Sequence, residues 1–332
     1  METDVSTTID YYRWSCFVIG AILPLALYSA ISPHTMRAAV TLPALRPDRW
    51  VNSPALTPEV LRGKVVLVDV WEYTCVNWIR TAPYVMAWNR DYARLGLVVI
   101  GVHAPEFEFG KQPENINRGI RDHGLTYPIA IDNAFSIWRA LGNDAWPAKY
   151  LFDAQGQLVK RWVGEGHYDE IETEIRRQLV AAKPGVQLPD VSPEATAFRQ
   201  TEQPSYFGIT QETYVGSDRR EFGAVTFEGD WRSAGQYAEL RKGVGKISIA
   251  FTAREVNLVV QPGPSGNATI TVLLDGIAVG SVRGADVDGD SVARFDRSGM
   301  IRLVAGAAKR EHVLTLVSSD PGLRAFVFSF GG

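Results

Sequence analysis

The sequence predicts two folded parts: an α/β domain with helices on both faces of a mixed central sheet, then an all-β sandwich of jelly-roll type. Three observations predict it. The chain has 332 residues, about two domains at roughly 100–200 residues each. Between Gly63 and Ala182, apolar runs of strand length alternate with helical stretches. Beyond about residue 205 the helical texture stops, and short alternating segments are divided by Gly, Pro and Asp turns.

Composition narrows the class. With 46% hydrophobic and 21% charged residues, the chain is neither disordered nor fibrous. A net charge of −3 with no basic tract excludes a nucleic-acid partner. Two cysteines, Cys16 and Cys75, exclude a disulfide scaffold and a four-cysteine zinc site.

Residues 1–13 form a tail. Residues 14–33, WSCFVIGAILPLALYSAISP, carry no charge, and the apolar part would span about 27 Å as a helix. A membrane signal anchor is the first reading, ahead of a cleaved signal peptide or a buried core helix. Glu2, Asp4 and Asp10 outweigh Arg13 before it, and no small-x-small cleavage site comes after it. Cys16 is then a small apolar residue within the span. Residues 34–62, rich in Pro and Arg, read as a tether.

The first domain covers residues 63–182. VVLVDVW (Val65 to Trp71) and LVVIGVH (Leu97 to His103) read as strands buried on both faces. A helix from Cys75 to about Leu95, interrupted by Pro83, lies between them. Asn115 to His123 is helical, Tyr127 to Asp132 strand-like, and Ala134 to Leu141 a short helix. AKYLFD and LVKRWVG flank Ala154-Gln155-Gly156 as a hairpin, and Tyr168 to Ala182 forms an amphipathic helix. Residues 183–204, with four prolines, are a linker. In residues 205–332, ISIAFTA, VNLVVQP, ATITVLLDG, IAVGSV, IRLVA, HVLTLVS and AFVFSF supply the sandwich strands.

VDVWEYTCVNW sets Cys75 between a buried strand and a helix start. Free N–H groups and the helix dipole favour a thiolate there. Asp69, six residues earlier, turns inward by strand alternation, where a buried acid with a raised pKa can relay a proton to sulfur. Trp146-Pro147-Ala148 precedes a strand, so Pro147 is a candidate cis proline that holds backbone groups out for an extended partner.

These residues resemble the thioredoxin fold, and within it the extracytoplasmic thioredoxin-like domain of the TlpA and DipZ families. GKVVLVDVWEYTC, VNWIRTAPYV, VIGVHAPEFEFGK, YPIAIDNAFSIWRALG, WPAKYLFDAQGQ and GEGHYDEIE carry the likeness, in order, from Gly63 to about Leu179. The second half, from TYVGSDRREFG through GDW, FTAREVNLVVQP and HVLTLVSSDPGLRAFVFSFG, resembles the carbohydrate-binding-module-like domain that follows thioredoxin in DipZ proteins. One hydrophobic segment is expected in place of their membrane-spanning electron-transfer domain. The resemblance implies cofactor-free and metal-free thiol–disulfide chemistry in the cell envelope, on the extracytoplasmic, periplasmic side. Its partners would be a thiol- or disulfide-bearing protein client or a small thiol.

One departure is chemical. The family's Cys-x-x-Cys reads Cys75-Val76-Asn77-Trp78 here. A dithiol cycle needs the second thiolate to attack the mixed disulfide intramolecularly, and Trp78 cannot. Three readings stand: monothiol chemistry through mixed disulfides, a monothiol peroxidase or redox sensor, and a non-catalytic scaffold that binds a glycan or polypeptide. The resemblance makes Cys75 and Asp69 the chemical pair, with Trp78, Trp146 and Pro147 as partner-contacting residues. Trp71, Asn77 and His103 support them; Trp71 is a packing residue, Trp78 fills the missing thiol's place, and His103 reads as a hydrogen-bonded loop residue. DVDGD (Asp286 to Asp290) reads as a solvated turn, because an EF-hand would need glutamate where Arg297 stands. A sugar platform in the second half would draw on Trp231, Tyr214 and Tyr237, although aromatics in a sandwich more often form core.

Overall fold

The computed structural model describes residues 41–191, 193, 208–219 and 224–332. The expected tail, the expected signal anchor with Cys16, and much of the expected linker lie outside the described residues. Among the described residues, no helix is long and apolar enough to cross a membrane.

The first half forms a six-stranded sheet in the order β1-β4-β3-β2-β5-β6. Its strands are β1 (Arg49–Val51), β2 (Val65–Trp71), β3 (Leu97–His103), β4 (Ile129–Ile131), β5 (Ala148–Phe152) and β6 (Leu158–Val163). β2, β3 and β4 run parallel, and β5 is antiparallel to β2. Every residue of β2 is buried, as a central strand covered on both faces requires. After α1 (Pro58–Leu61), α2 (Val76–Tyr92) succeeds β2 and absorbs Pro83. α3 (Pro113–Asp122), α4 (Ser136–Ala140) and α5 (Tyr168–Ala182) complete the covering layers. Two apolar cores result, one on each face.

Part of the expected tether is structure. β1 pairs with β4 at the sheet edge, Leu42 donates its N–H to the Gly156 carbonyl at 2.7 Å, and Leu45 is buried. Irregular hydrophobic spacing hid a three-residue edge strand too short to show a period.

The second half is one large antiparallel sheet of ten strands, curled around its own core. β9 (Ala238–Thr252), β10 (Glu255–Gln261), β11 (Ala268–Leu274), β14 (Gly299–Ala305), β15 (Glu311–Ser318) and β16 (Arg324–Gly331) contain the expected runs. β7 (Thr213–Tyr214), β8 (Val225–Ser233) and β13 (Val292–Phe295) lie beyond those runs. IAVGSV yields only the two-residue β12 (Ile277–Ala278) and a 3-10 turn. The two halves share apolar packing: Phe326 and Val327 of β16 join the core of the first half. Phe326 lies 4.9 Å from both Phe107 and Phe109, ring centre to ring centre.

Candidate functional site

Cys75 caps the N-terminus of α2 with extended backbone, and its carbonyl accepts the Ile79 N–H at 3.0 Å. The residue is half-buried. The helix start acts as the sequence implies, since the backbone N–H of Trp78 favours the thiolate. It is outweighed. Burial first, then the carboxylates of Glu106, Glu212 and Glu72, push the thiol well above its ordinary value. Burial and the neighbouring carboxyls thus run against the activated thiolate that the helix start alone would give.

Two of those carboxylates meet at the junction of the halves. Glu106, in the loop after β3, accepts the Tyr214 hydroxyl at 2.5 Å and Arg219 at 3.2 Å, while Glu212 accepts the same hydroxyl at 3.1 Å. Burial raises both carboxyls, Glu212 to about 7. Glu72 accepts the backbone N–H of Thr74 at 2.6 Å and the Thr74 hydroxyl, yet its other oxygen is buried without a partner. Burial pushes it up to about 8.

The inward turn of Asp69 holds. Asp69 is fully buried, and desolvation raises its pKa against the pull of Lys149 and Trp78. The Trp78 indole N–H donates to Oδ2 at 2.9 Å, and Lys149 Nζ stands 3.6 Å from Oδ1. Burial also lowers the Lys149 pKa, with Asp69 opposing. Lys149 is the antiparallel partner of Asp69 across β2 and β5. Sequence reasoning missed its role; the signal was a single cation inside the apolar run AKYLF.

Trp78 needs correction as a partner-contacting residue. It is wholly buried, 4.5 Å from Trp71 and 5.0 Å from His123 between ring centres. A side chain with no exposed surface cannot meet a client; it fills the space and takes up the buried acid. Trp71 packs as expected, and Gly101 permits it, because a Cβ there would come within 3.0 Å of the indole nitrogen. His103 is also corrected. It ends β3 fully buried between Trp71 and Tyr73, and neither ring nitrogen reaches a hydrogen-bond partner. Burial lowers its pKa to about 3, so the ring is neutral. Asn77 is half-buried in the first turn of α2.

The Trp146–Pro147 peptide is cis. Pro147 is buried with its carbonyl accepting the Gly164 N–H at 2.8 Å, and the half-buried Trp146 donates its indole N–H to the Ala104 carbonyl at 2.9 Å. Trp146 packs with the core on the opposite face from Trp71 and Trp78.

No shared sugar platform forms from the three expected aromatics. Tyr214 bonds Glu106 beneath the Arg219 guanidinium, Tyr237 packs on Phe326, and Trp231 packs on the second-half core. In DVDGD, Asp286 pairs with Arg302 and Asp288 with Arg294, and no metal-holding cluster occurs among the described residues.

The family described as thioredoxin-like C-terminal domain matches residues 195–331. Protein DipZ of Mycobacterium bovis is 37% identical over 248 residues, covering 68% of this chain and 35% of its own length. The chain thus spans about a third of the DipZ proteins it matches. Thiol-disulfide oxidoreductase YkuV of Bacillus subtilis is 28% identical over 145 residues, 43% of this chain and 97% of that protein. The solution structure of a thioredoxin-like protein in the oxidized form is 29% identical, with a TM-score of 0.40 over 44% of this chain and 99% of that one.

Proposed function

The chain belongs to the thioredoxin-like superfamily, with a DipZ-like redoxin half and the C-terminal domain that accompanies it, and from that premise we propose a monothiol protein that captures partners as durable mixed disulfides. One observation carries the reading: Trp78, at the resolving position, is fully buried and bonded to Asp69 at 2.9 Å. In the forming step Cys75 gives up its proton and attacks a partner disulfide. A Cys75–partner S–S bond forms, the partner's S–S bond breaks, and the released sulfur leaves as a thiol. A raised thiol pKa then governs the next exchange, because the sulfur of lower pKa leaves faster. An incoming thiol expels the partner sulfur rather than Cys75, so Cys75 exchanges partners and stays oxidised.

Asp69 receives the proton that Cys75 surrenders, and the cis Trp146–Pro147 segment meets the partner chain. The partner is a disulfide-bearing protein or a small disulfide. The uncharged residues 14–33 support an anchor that holds both halves outside the cytoplasm, in the periplasm or its equivalent. The peroxidase or sensor reading needs the same thiolate and draws on no observation that disulfide exchange lacks. A binding scaffold is the second reading, favoured by the raised thiol pKa itself.

The test is intact-mass measurement after incubation with hydroxyethyl disulfide across pH 6–10. One adduct is expected, absent from Cys75→Ser, forming slowly at neutral pH and faster toward alkaline pH. It should outlast a pulse of monothiol by exchanging its partner. A folded protein that forms no adduct at any pH would establish the scaffold reading instead.

A further inference from the structure

Phe109, Tyr237 and Phe326 line a cleft of about 320 Å³ that opens between the two halves of the chain. On one side stand the 3-10 turn Glu108–Lys111 and the start of α3, on the other the turn between β8 and β9 and the adjoining ends of β10 and β16. The three rings form one aromatic wall: Phe326 lies 4.9 Å from Phe109 and 5.3 Å from Tyr237, centre to centre. The carboxamides of Gln112, Asn115, Gln236 and Gln261 make up most of the polar lining.

The hydrogen-bonding sense of that lining is one-sided. Gln236 accepts the Glu108 backbone N–H through Oε1 at 2.9 Å, and Gln261 accepts from Arg324 through Oε1 at 3.3 Å. With its oxygen engaged, each amide retains two N–H donors for an occupant. The Asn115 oxygen is taken in the same way, by Arg118 at 2.9 Å. Tyr237 accepts from Arg232 at 3.5 Å, which leaves its own O–H to donate. The charges nearby are already answered. Arg324 donates to Glu239 at 2.9 Å and lies over the Tyr237 ring, and Glu108 pairs with Lys111 at 2.7 Å. The cleft thus offers donors and aromatic faces, and it engages most of its acceptors within the protein.

A proline-rich segment has the complementary chemistry. Each proline carries a carbonyl acceptor and no backbone N–H, and its ring packs on aromatic faces. A saccharide brings a proton with every hydroxyl, and this lining has few acceptors to meet them. An ordinary extended peptide brings an N–H at each residue and is recognised by addition to an open strand edge. That route is closed, since β10 is paired to β14 and β16, and β16 to β9, β10 and β7. A polyproline II helix needs no strand edge: its backbone is solvated, and it docks in aromatic-lined grooves. We propose that this interdomain cleft binds a proline-rich polypeptide segment in the polyproline II conformation. The N–H groups of Gln236 and Gln261 and the Tyr237 hydroxyl meet its carbonyls, and the aromatic wall takes its rings. The site goes beyond the thiol reading and makes no use of Cys75.

Saturation-transfer NMR on the full chain tests it, with acetyl-hexaproline amide as the probe. A flexible Gly-Ser hexapeptide and maltose are the controls. Saturable binding of hexaproline is expected, tighter than that of either control. The double variant Gln236→Ala/Gln261→Ala removes donors at two positions and should weaken binding about tenfold. Tyr237→Phe keeps the ring and loses only the hydroxyl, for a loss of about threefold. Gln261→Ala alone leaves the Gln236 bond to the Glu108 N–H intact and should also cost about threefold, so a folding defect in the double variant does not decide the matter. Three results would overturn the proposal: hexaproline does not bind, its binding is unchanged in the Gln and Tyr variants, or a control binds as tightly.

Discussion

The two halves of the molecule handle polar groups in opposite ways. In the β half, charged side chains meet at the surface: Asp275 is held down to about 2 by the Val313 N–H and His312, and Arg302 and Arg294 each find an aspartate. In the redoxin half, Asp69, Glu72, His103 and Lys149 are all at or below 1% exposure. Among the described residues, all but one of the buried side-chain polar atoms that lack a hydrogen-bond partner belong to this half; Asn257 is the exception. Native folds rarely leave such groups unpaired, because each costs about 1–3 kcal/mol. Asp69, Glu72, His103 and Lys149 are among them, so the unpaired groups gather in the half that carries Cys75.

The polar-cored half is most vulnerable at Trp78. Trp78→Cys removes a fully buried ring and the donor to Asp69, and should cost about 3–5 kcal/mol, the largest loss of any substitution here. Trp78→Phe retains most of the volume but leaves the Asp69 oxygen without its donor, at about 1–3 kcal/mol. Urea unfolding monitored by circular dichroism gives both numbers. The Cys variant also rebuilds the Cys-x-x-Cys spacing, so its folded fraction should gain insulin-disulfide reduction, and the parent should show none. Parent-like stability in Trp78→Cys would contradict the packing argument. Folded variant without turnover would show that Trp78 does more than occupy the resolving position.

Titration separates the buried groups by sign. Glu72, at about 8 in the fold against 4.5 free, binds its proton more tightly when folded. Its stabilising contribution is complete below about pH 4.5 and is lost as pH rises through about 8. Glu212, at about 7, acts in the same sense. His103 has the opposite sign: at about 3 in the fold against 6.5 free, it contributes fully above about pH 6.5 and loses that contribution as pH falls toward 3. Each group changes stability by at most about 1.4 kcal/mol per pH unit. Denaturant midpoints should therefore decline from pH 6.5 to pH 9 in the parent, and the slope should flatten in Glu72→Gln. A parent whose stability rises over that interval, or a Gln variant with the parent's slope, would remove the raised carboxyls from the account.

How much of this is legible in the sequence depends on the range of the interactions involved. β2, β3 and α5 are legible to the residue because buried strands and amphipathic helices announce themselves in runs longer than one period. Cys75 at a helix start, an inward Asp69 and the cis Pro147 derive from neighbours within a few residues. The hidden part joins distant segments. Glu212, Tyr214 and Arg219 come from the β half to surround Glu106 more than a hundred residues away. Lys149 faces Asp69 only through strand register. Local sequence correctly places the sulfur on an electropositive helix tip and has no means of seeing the carboxylates brought in against it.

The smallest expected effect lies at the surface of the β half. Arg302 donates to Asp286 through its guanidinium, Nε at 2.8 Å and Nη2 at 3.0 Å, but its side chain is half exposed. Such a pair is screened by water and salt and is worth about 0–1 kcal/mol. Asp286 also accepts the Arg302 backbone N–H at 2.8 Å, and that bond survives when the side chain is cut. Arg302→Ala should thus lower stability by less than about 1 kcal/mol at low salt, and the difference should shrink toward zero at a salt concentration of about 1 M. Asp286→Ala, which removes both bonds, should cost more and retain part of its cost in salt. A salt-insensitive loss in Arg302→Ala as large as that of Trp78→Phe would mean that ion pairs hold the β half together, and the division between a surface-paired half and a polar-cored half would no longer describe the molecule.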